Sequence, residues 1–531
     1  MAVQPVIAEL TASGSLKPAK SLVLENASNE VVFAVVGYVG SGTSEIAVTL
    51  RGLLESPTLP DGMFDVEILK ARKVIEEWAL KNDEQVPNTP SNNLATTEAF
   101  QDLGDKMRSS GDHAVVARNL IENIRLTRAR KLGIQNPGES EVPPDGARRA
   151  YVLDSIRHPA EVELLRRVYQ DAFVLVGVVC EASTRLQRIG KKYTNAGVGD
   201  SEKFMARDSR AAEKHGQRVS DAFHMADYFV DNTADQFLEG QEPNPDWDIS
   251  EKLSRLIRIM TAAEIVRPSL AETAMHDAYG AAMQSACLSR QVGAALLDAH
   301  GNVIATGTNE VPRAGGGVYG DSFAENQDDH RCAFQKGRKF CSNTKEQNTI
   351  IEHLIEDVPE LDELDNIRKS TLKLELRGSR VGDLLEFSRA VHAEMDAIFS
   401  AARKGVTTVG TRLFVTTFPC HYCARGIVAS GVDEVQYIEP YPKSLALTLH
   451  SDSITIRASQ WLEPSKGGTK VLFRAFTGVA PRLYRRAFMK DRDLKDSKTG
   501  LFQIGVPEWG TPWHLHGLSY VALEAVLAKS K

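Results

Sequence analysis

Residues 391–405, VHAEMDAIFSAARKG, and residues 413–430, LFVTTFPCHYCARGIVAS, decide how this chain is to be read. After His392 the apolar residues recur at helical spacing as far as Lys404. In the second stretch an apolar strand pattern, Leu413–Thr417, runs into Pro419 and then a helical pattern from Cys420 to Ser430. Both helix starts carry residues with chemistry. Cys420 and Cys423 are three apart at a helix start, so they share a face, and the positive end of the helix favours thiolate over thiol. His392 adds an imidazole. Two thiolates and an imidazole are ligands zinc accepts, and three ligands leave the fourth tetrahedral position open, as in catalytic sites. Zinc at such a position brings the pKa of water to about 7. Glu394, two residues beyond His392, is the candidate proton carrier. His421 has a suitable ring but the wrong position, and reads as a neighbour. The alternative is a structural Cys-x-x-Cys knuckle beside an unrelated His-x-Glu.

Outward from this core the pattern extends in both directions. A strand is expected at Glu434–Ile438. Upstream, a long helical pattern runs from Glu251 to about Ser289 with a break near Pro268, and Val292–Leu297 and Val303–Gly307 flank a glycine turn as a hairpin. Residues 312–346 are rich in Gly, Asp, Asn and Arg and read as an elaborated loop. The expected divisions are a tail at 1–28, a first domain at 29–250, a second at 251–480 and an extension at 481–531. Pro243 and Pro245 mark the linker.

The first domain alternates strands and helices, which predicts a parallel sheet with helices on both faces. Its strand patterns are Val31–Val36, Tyr151–Asp154 and Phe173–Val179, with a helix through Glu161–Tyr169; residues 83–112 and 134–147 read as loops. The segment Gly37-Tyr-Val-Gly40-Ser41-Gly42-Thr43-Ser44 matches G-x-x-x-x-G-K-[ST] except that Thr43 stands where the lysine belongs. An apolar strand precedes it and a helix follows, so its backbone N–H groups would point at a phosphate. Ser44 remains able to reach Mg2+, but the charge that steadies the β- and γ-phosphates is missing. The expectation is a nucleotide bound with little or no hydrolysis; an inert structural loop is the alternative.

Composition narrows the class. The chain has 531 residues, 42% hydrophobic and 25% charged, with a formal charge of −7. That suits a water-soluble protein of roughly two or three domains and argues against a grip on long nucleic acid, which calls for a basic surface. The N-terminus lacks the charged start and apolar run of a signal peptide, and the most apolar run, Phe173–Cys180, is far short of the ~20 residues that span a bilayer. Six cysteines in this length make no disulfide framework. A cytoplasmic protein that touches no membrane is expected.

The His-x-Glu and Pro-Cys-x-x-Cys elements together resemble the zinc nucleobase deaminases. Residues 286–310, ACLSRQVGAALLDAHGNVIATGTNE, and residues 391–441 are similar to the deoxycytidylate deaminase family, interrupted by 324–388. That resemblance implies a five-stranded mixed sheet in a cytidine-deaminase-like α/β/α sandwich, deoxycytidine nucleotides as substrates, and Asn309 at the family's sugar-phosphate-contacting position. Ser289 and Arg290 fall where the family meets its nucleotide; for Arg290 a solvated surface role is the alternative, and for Tyr441 core packing competes with stacking. Cys287 matches a structural zinc ligand of the phage-type enzymes, and His330, Cys332 and Cys341 fall where a second zinc site would be completed. A tRNA or single-stranded nucleic-acid deaminase is the competing reading.

The first domain resembles nucleoside-monophosphate kinases. This places Asp154 at the strand tip beside the loop, makes FMARDSRAAE and ADYFVDN a lid and final strand, and makes Arg157, Arg185, Arg188 and Arg207 candidate phosphate contacts. The two halves joined resemble the anti-phage dCTP deaminase family. That resemblance implies conversion of dCTP, and often dCMP, during infection, a P-loop domain required for defence, and a small inhibitory noncoding RNA in some members. An enzyme that destroys dCTP would be toxic if always active, so a regulatory nucleotide at the P-loop domain is expected to control it, and the resemblance to deoxycytidylate deaminases implies a homo-oligomer. A housekeeping deaminase supplying dUMP is the alternative. The extension carries Arg482, Tyr484, Arg485, Trp509 and Trp513, for packing on the deaminase, an oligomer interface or RNA.

Overall fold

Val31–Val36 is buried on both faces, as a central parallel strand requires. A computed structural model of the chain describes residues 17–59, 62–87, 93–138, 140–194, 196–209, 215–238, 242–320, 329–334, 339–441, 443–459, 461–505, 507–508, 510–511, 513–517 and 519. The chain divides into two units, Met1–Arg267 with Thr477–Lys531, and Pro268–Phe476.

In the first unit the strands are β1 (Glu30–Gly37), β2 (Asp65–Lys70), β3 (Arg149–Ile156), β4 (Phe173–Val179) and β5 (Tyr228–Asp231). They lie in the order β5-β4-β1-β3-β2, all parallel, and the short strand Gly478–Val479 adds antiparallel to the β5 edge. The chain switches direction across the sheet at β1, where open parallel sheets bind ligands beyond their carboxyl ends. There β1 delivers Gly37 into the glycine-rich turn, and helix α1 (Thr43–Leu54) begins at once.

Several expectations fail in this unit. Residues 83–112 were expected to be a loop, yet Leu94–Arg108 is a 15-residue helix, α2. Its Thr, Gly and Asp content suggests a loop, but Asn93 caps it on Ala95 N–H, and Leu94, Phe100, Leu103 and Met107 are buried. Of the expected tail, residues 1–16 lie outside the described residues; Ala19–Glu25 is helical with Leu22 buried, and Ala27–Ser28 pairs with Leu515–His516. The boundary expected after residue 250 falls after Arg267. Helix α4 (Ile249–Thr261), which follows α3 (Val198–Ser209), buries Leu253, Leu256, Ile257 and Met260 in the first core. The extension joins the same core: Leu483 and Trp513 are buried in it and Tyr484 packs against it. Trp509 lies outside the described residues.

In the second unit the strands are β6 (Gly293–Leu297), β7 (Val303–Thr308), β8 (Arg412–Thr417), β9 (Glu434–Glu439), β10 (Ile454–Thr455) and β11 (Val471–Ala475). Their order is β10-β11-β9-β8-β6-β7, with β8 to β11 parallel and β6 antiparallel both to β8 and to its hairpin partner β7. The expected five strands gain a two-residue sixth, β10, at one edge. The helical pattern expected from Glu251 to about Ser289 with a break near Pro268 is α4 in the first unit and α5 (Leu270–Ala282) in the second, which ends before Ser289; α5 starts from a capping box of Ser269 and Glu272. Helices α6 (Ser342–Asp357), α7 (Ala393–Arg403) and α8 (His421–Ala429) follow.

Two glycines fix the sandwich. A Cβ on Gly293 would lie 1.9 Å from the Ala278 carbonyl of α5, and one on Gly307 would lie 2.2 Å from the Ala393 carbonyl of α7. Gly293 pairs with Thr308 and Gly307 with Ala294, so the two glycines face opposite sides of the hairpin. Helices α5 and α7 therefore pack on opposite faces at backbone contact, which seats the first turn of α7 against the sheet.

Candidate metal centre and phosphate loop

In the second unit, strand β8 ends at Thr417 and the chain turns through Pro419 so that Cys420 becomes the N-cap of α8 and Cys423 falls in its first turn. His392 is the N-cap of α7. Its Nδ1 lies 3.3 Å from the sulfur of Cys420 and 3.3 Å from that of Cys423. Among the described residues these are the one group of three His, Cys, Asp or Glu side chains whose ligand atoms all lie within 4.8 Å of one another. Tetrahedral zinc, with sulfur at about 2.3 Å and nitrogen at about 2.0–2.1 Å, separates the two by about 3.5 Å. The donors therefore fit zinc with little movement.

The electrostatics suit a dication. Hydrogen bonding from Cys423 draws the Cys420 thiol down to about 4, while the Cys420 thiolate and burial push Cys423 well up. Burial works against a charged His392 ring, but its bond to Cys420 and the Glu394 carboxylate carry it up to about 9. A metal ion bound by His392, Cys420 and Cys423 would take the place of these protons. Glu394, in the first turn of α7, is 3% exposed, and burial pushes its carboxyl up to about 7.

A cavity of about 280 Å³ brings His392, Glu394 and Cys420 together with Ser289, Arg290 and Asn309, and with Tyr441. Asn309 is nine-tenths buried and spans the loop before β6: its amide donates to the Arg290 carbonyl at 2.7 Å and its oxygen accepts from Val292 N–H at 2.7 Å. Expected to contact nucleotide, Asn309 holds the segment that presents Ser289 and Arg290. Arg290 pairs with Glu439 at 2.8 Å and sits over the Tyr441 ring.

Sequence reasoning missed Glu310. Its backbone pairs both ways with Val391, the residue before His392, and its buried carboxylate accepts from Ala286 and Val311 N–H at 2.8 and 2.9 Å. No periodicity marks such a residue, since its partners are distant backbone amides. The second metal quartet is not assembled. No three of Cys287, His330, Cys332 and Cys341 bring their ligand atoms within 4.8 Å. Cys341 is held at the start of α6 near Ser289, Cys332 lies near Ser342, and His330 is exposed beside Tyr319.

In the first unit, the glycine-rich segment turns tightly between β1 and α1, with Ser41 N–H donating to the Tyr38 carbonyl at 3.0 Å. Gly40 and Gly42 have φ of 82° and 85°, and Gly42 caps α1 in the left-handed conformation open to glycine. Ser44 donates to Asp154 at the tip of β3, 2.8 Å away. Asn232, fully buried, donates to the Ser41 carbonyl and to Glu45, and accepts from the Trp247 ring N–H. A cavity of about 560 Å³ opens over Gly40, Gly42, Thr43 and Ser44, with Lys70, Arg157, Arg188 and Lys192 on its wall. The four candidate arginines part company. Arg157 reaches the loop, donating to the Gly37 carbonyl. Arg188 is committed to the Asn232 and Ala234 carbonyls and Asp235, Arg207 to Asp102, and Arg185 lies over the Tyr38 ring.

A parallel-and-hairpin sheet with helices on both faces and a His-Cys-Cys centre at two helix starts defines a zinc-type nucleobase deaminase domain. Residues 268–439 match the family model "Cytidine and deoxycytidylate deaminase zinc-binding region". The deoxycytidylate deaminase of Enterobacteria phage T2 is 32% identical over 176 residues, 33% of this chain and 82% of the phage protein. That of Enterobacteria phage T4 is 30% identical over 176 residues, 33% of this chain and 80% of its own length. The chain belongs to the cytidine and deoxycytidylate deaminase family. A solved dCMP deaminase from the cyanophage S-TIM5, in complex with dCMP and dUMP, is 17% identical and overlaps 40% of this chain and 99% of its own at a TM-score of 0.22, too low to add to the assignment. Among the described residues no helix is long and apolar enough to cross a membrane.

Proposed function

We propose that the chain hydrolytically deaminates deoxycytidine nucleotides, dCTP and dCMP, to the deoxyuridine nucleotides, under control of a nucleotide at the glycine-rich loop. The observation that carries this reading is the single cavity in which His392, Cys420 and Glu394 meet Ser289, Arg290 and Tyr441. Zinc held by His392, Cys420 and Cys423 supplies Lewis acidity that brings water to a pKa of about 7. Glu394 takes one proton from the attacking water and delivers it to the ring nitrogen, then carries the second proton, from the C4 hydroxyl, to the amino group, so that the C4–N bond breaks, ammonia leaves and C4 keeps the oxygen as a carbonyl. Asn309 and Glu310 keep the two walls in register. Arg290 offers a guanidinium to a 5′-phosphate, and Tyr441 a face for stacking.

The fused first domain supports control. Its loop keeps the glycines, Ser44 and Asp154 but lacks the lysine, a combination suited to binding more than phosphoryl transfer. An enzyme that consumes dCTP harms its own cell unless restrained, and depletion of dCTP during phage infection is the role this arrangement serves. The names of the T2 and T4 relatives favour a second reading, a dCMP deaminase supplying dUMP. Turnover of dCMP, dCTP and a cytosine-containing oligonucleotide, each with and without added dNTPs, decides between them. Turnover of dCTP that responds to a second nucleotide is expected; dCMP turnover indifferent to dNTPs supports the second reading, and turnover of the oligonucleotide alone overturns both.

A further inference from the structure

The glycine-rich loop already holds an anion, and it comes from the chain itself. Asp208, on α3, is 1% exposed, and its carboxylate accepts the Val39 backbone N–H at 2.7 Å. Its other oxygen accepts from the Arg157 guanidinium at 2.7 Å, and the same Arg157 nitrogen donates to the Gly37 carbonyl at 3.2 Å. An amide at the start of a phosphate loop and an arginine beside it are donors of the kind that hold phosphoryl oxygens. Asp208 and Arg157 line the cavity over Gly42–Ser44. The inner phosphates of a nucleotide lie on the loop's amides nearest the helix, with Mg2+ at the Ser hydroxyl. An anion at Val39, five residues before Ser44, therefore marks the outer end of the phosphate chain.

Resting on the reading of Gly37–Ser44 as a nucleotide site, we propose that Asp208 is an intramolecular stand-in for the terminal phosphoryl group of a nucleoside triphosphate. Binding of the triphosphate displaces the carboxylate from Val39 and Arg157, hands Arg157 to the phosphate in place of the lysine missing at residue 43, and releases α3. Burial makes the charged carboxylate a costly occupant, pushing its pKa up against the pull of Arg157 and the Val39 amide. A diphosphate that stops short of Val39 leaves Asp208 in place. The loop thus distinguishes triphosphate from diphosphate without hydrolysing either, and α3 reports which is bound.

The test is calorimetric titration of the full chain with Mg2+ complexes of ATP, dTTP, ADP and dTDP, for wild type, Asp208→Asn and Ser44→Ala. Asn keeps an acceptor for the Val39 N–H and removes the competing charge. Asp208→Asn is expected to tighten triphosphate binding about tenfold or more and to change diphosphate binding less than about threefold, while Ser44→Ala weakens both. If Ser44→Ala weakens binding but Asp208→Asn binds triphosphate no more tightly than wild type, the stand-in is wrong and the nucleotide site survives. If no variant binds any of the four, the nucleotide site is wrong and the stand-in falls with it. Hydrogen exchange on wild type needs no variant to fold: residues 198–209 are expected to lose protection with triphosphate and keep it with diphosphate, and unchanged protection with bound triphosphate overturns the proposal.

Discussion

The metal centre of the second unit and the glycine-rich loop of the first share a construction. In each, a parallel strand ends, the chain turns tightly, and a helix begins with its N-terminus facing a cavity: β8 into α8 at Cys420, and β1 into α1 at Gly42. They differ in where the chemistry resides. At the metal centre it is carried by side chains, three donors and one carboxylate, all retained. At the loop it is carried by backbone amides and the Ser44 hydroxyl, and the motif's charged side chain, the lysine, is replaced by Thr43. A site made of side chains fails when one is lost. A site made of backbone still binds, and its missing charge can come from elsewhere in the fold.

Substitutions sharpen this contrast. Glu394→Gln should lower kcat by about 10²–10⁴-fold, the range of general acid–base contributions, with zinc content unchanged by metal analysis; retained turnover would remove Glu394 from its role. Gly307→Ala and Gly42→Ala test backbone on the two sides. The first sets a Cβ 2.2 Å from the Ala393 carbonyl, and the second a Cβ 2.3 Å from Asn232 Nδ2 at a φ of 85°. Gly307→Ala should cost about 1–3 kcal/mol of stability, read as a lower Tm, with reduced kcat. Gly42→Ala should abolish nucleotide binding while zinc stays loaded; nucleotide affinity equal to wild type would break the comparison.

Asn309→Ala leaves the Arg290 carbonyl and Val292 N–H without their buried partners, a loss of about 1–3 kcal/mol. It should raise KM more than it lowers kcat, and an equal fall in both kcat and kcat/KM would place Asn309 in the chemical step. The smallest effect is expected for Glu439→Gln, which loosens the half-exposed pair with Arg290. Such pairs contribute about 0–1 kcal/mol, so Tm should hold within about 2 °C while the salt dependence of KM changes.

Legibility followed locality. The strands at Val31, Tyr151, Phe173 and Leu413 and the helices at Thr43 and His392 could be read because each is a short apolar pattern ended by a turn residue. Leu94–Arg108 reads as a loop in sequence because its apolar residues are diluted by Thr, Gly and Asp, and only burial shows that they line one face. The second zinc quartet had the right residue types, but types do not set distances: Cys287, Cys332 and Cys341 line one cavity, yet no three of the four bring their ligand atoms within 4.8 Å of one another. Glu310 carried no signal because its partners, Ala286 and Val311 N–H, belong to the fold and not to a motif.

The sequence by itself determined the metal ligands and the glycine-rich loop, because each rests on a few neighbouring residues at a helix start, where backbone direction alone sets which groups converge. Only the tertiary structure decided that Asn309 clamps the loop of Arg290, that Val479, Leu483 and Trp513 complete the first core, and that Asp208 sits on Val39 across 169 residues of chain. Those contacts exist because packing brought distant segments to hydrogen-bond distance, and no local pattern encodes where a buried carboxylate will find its amide.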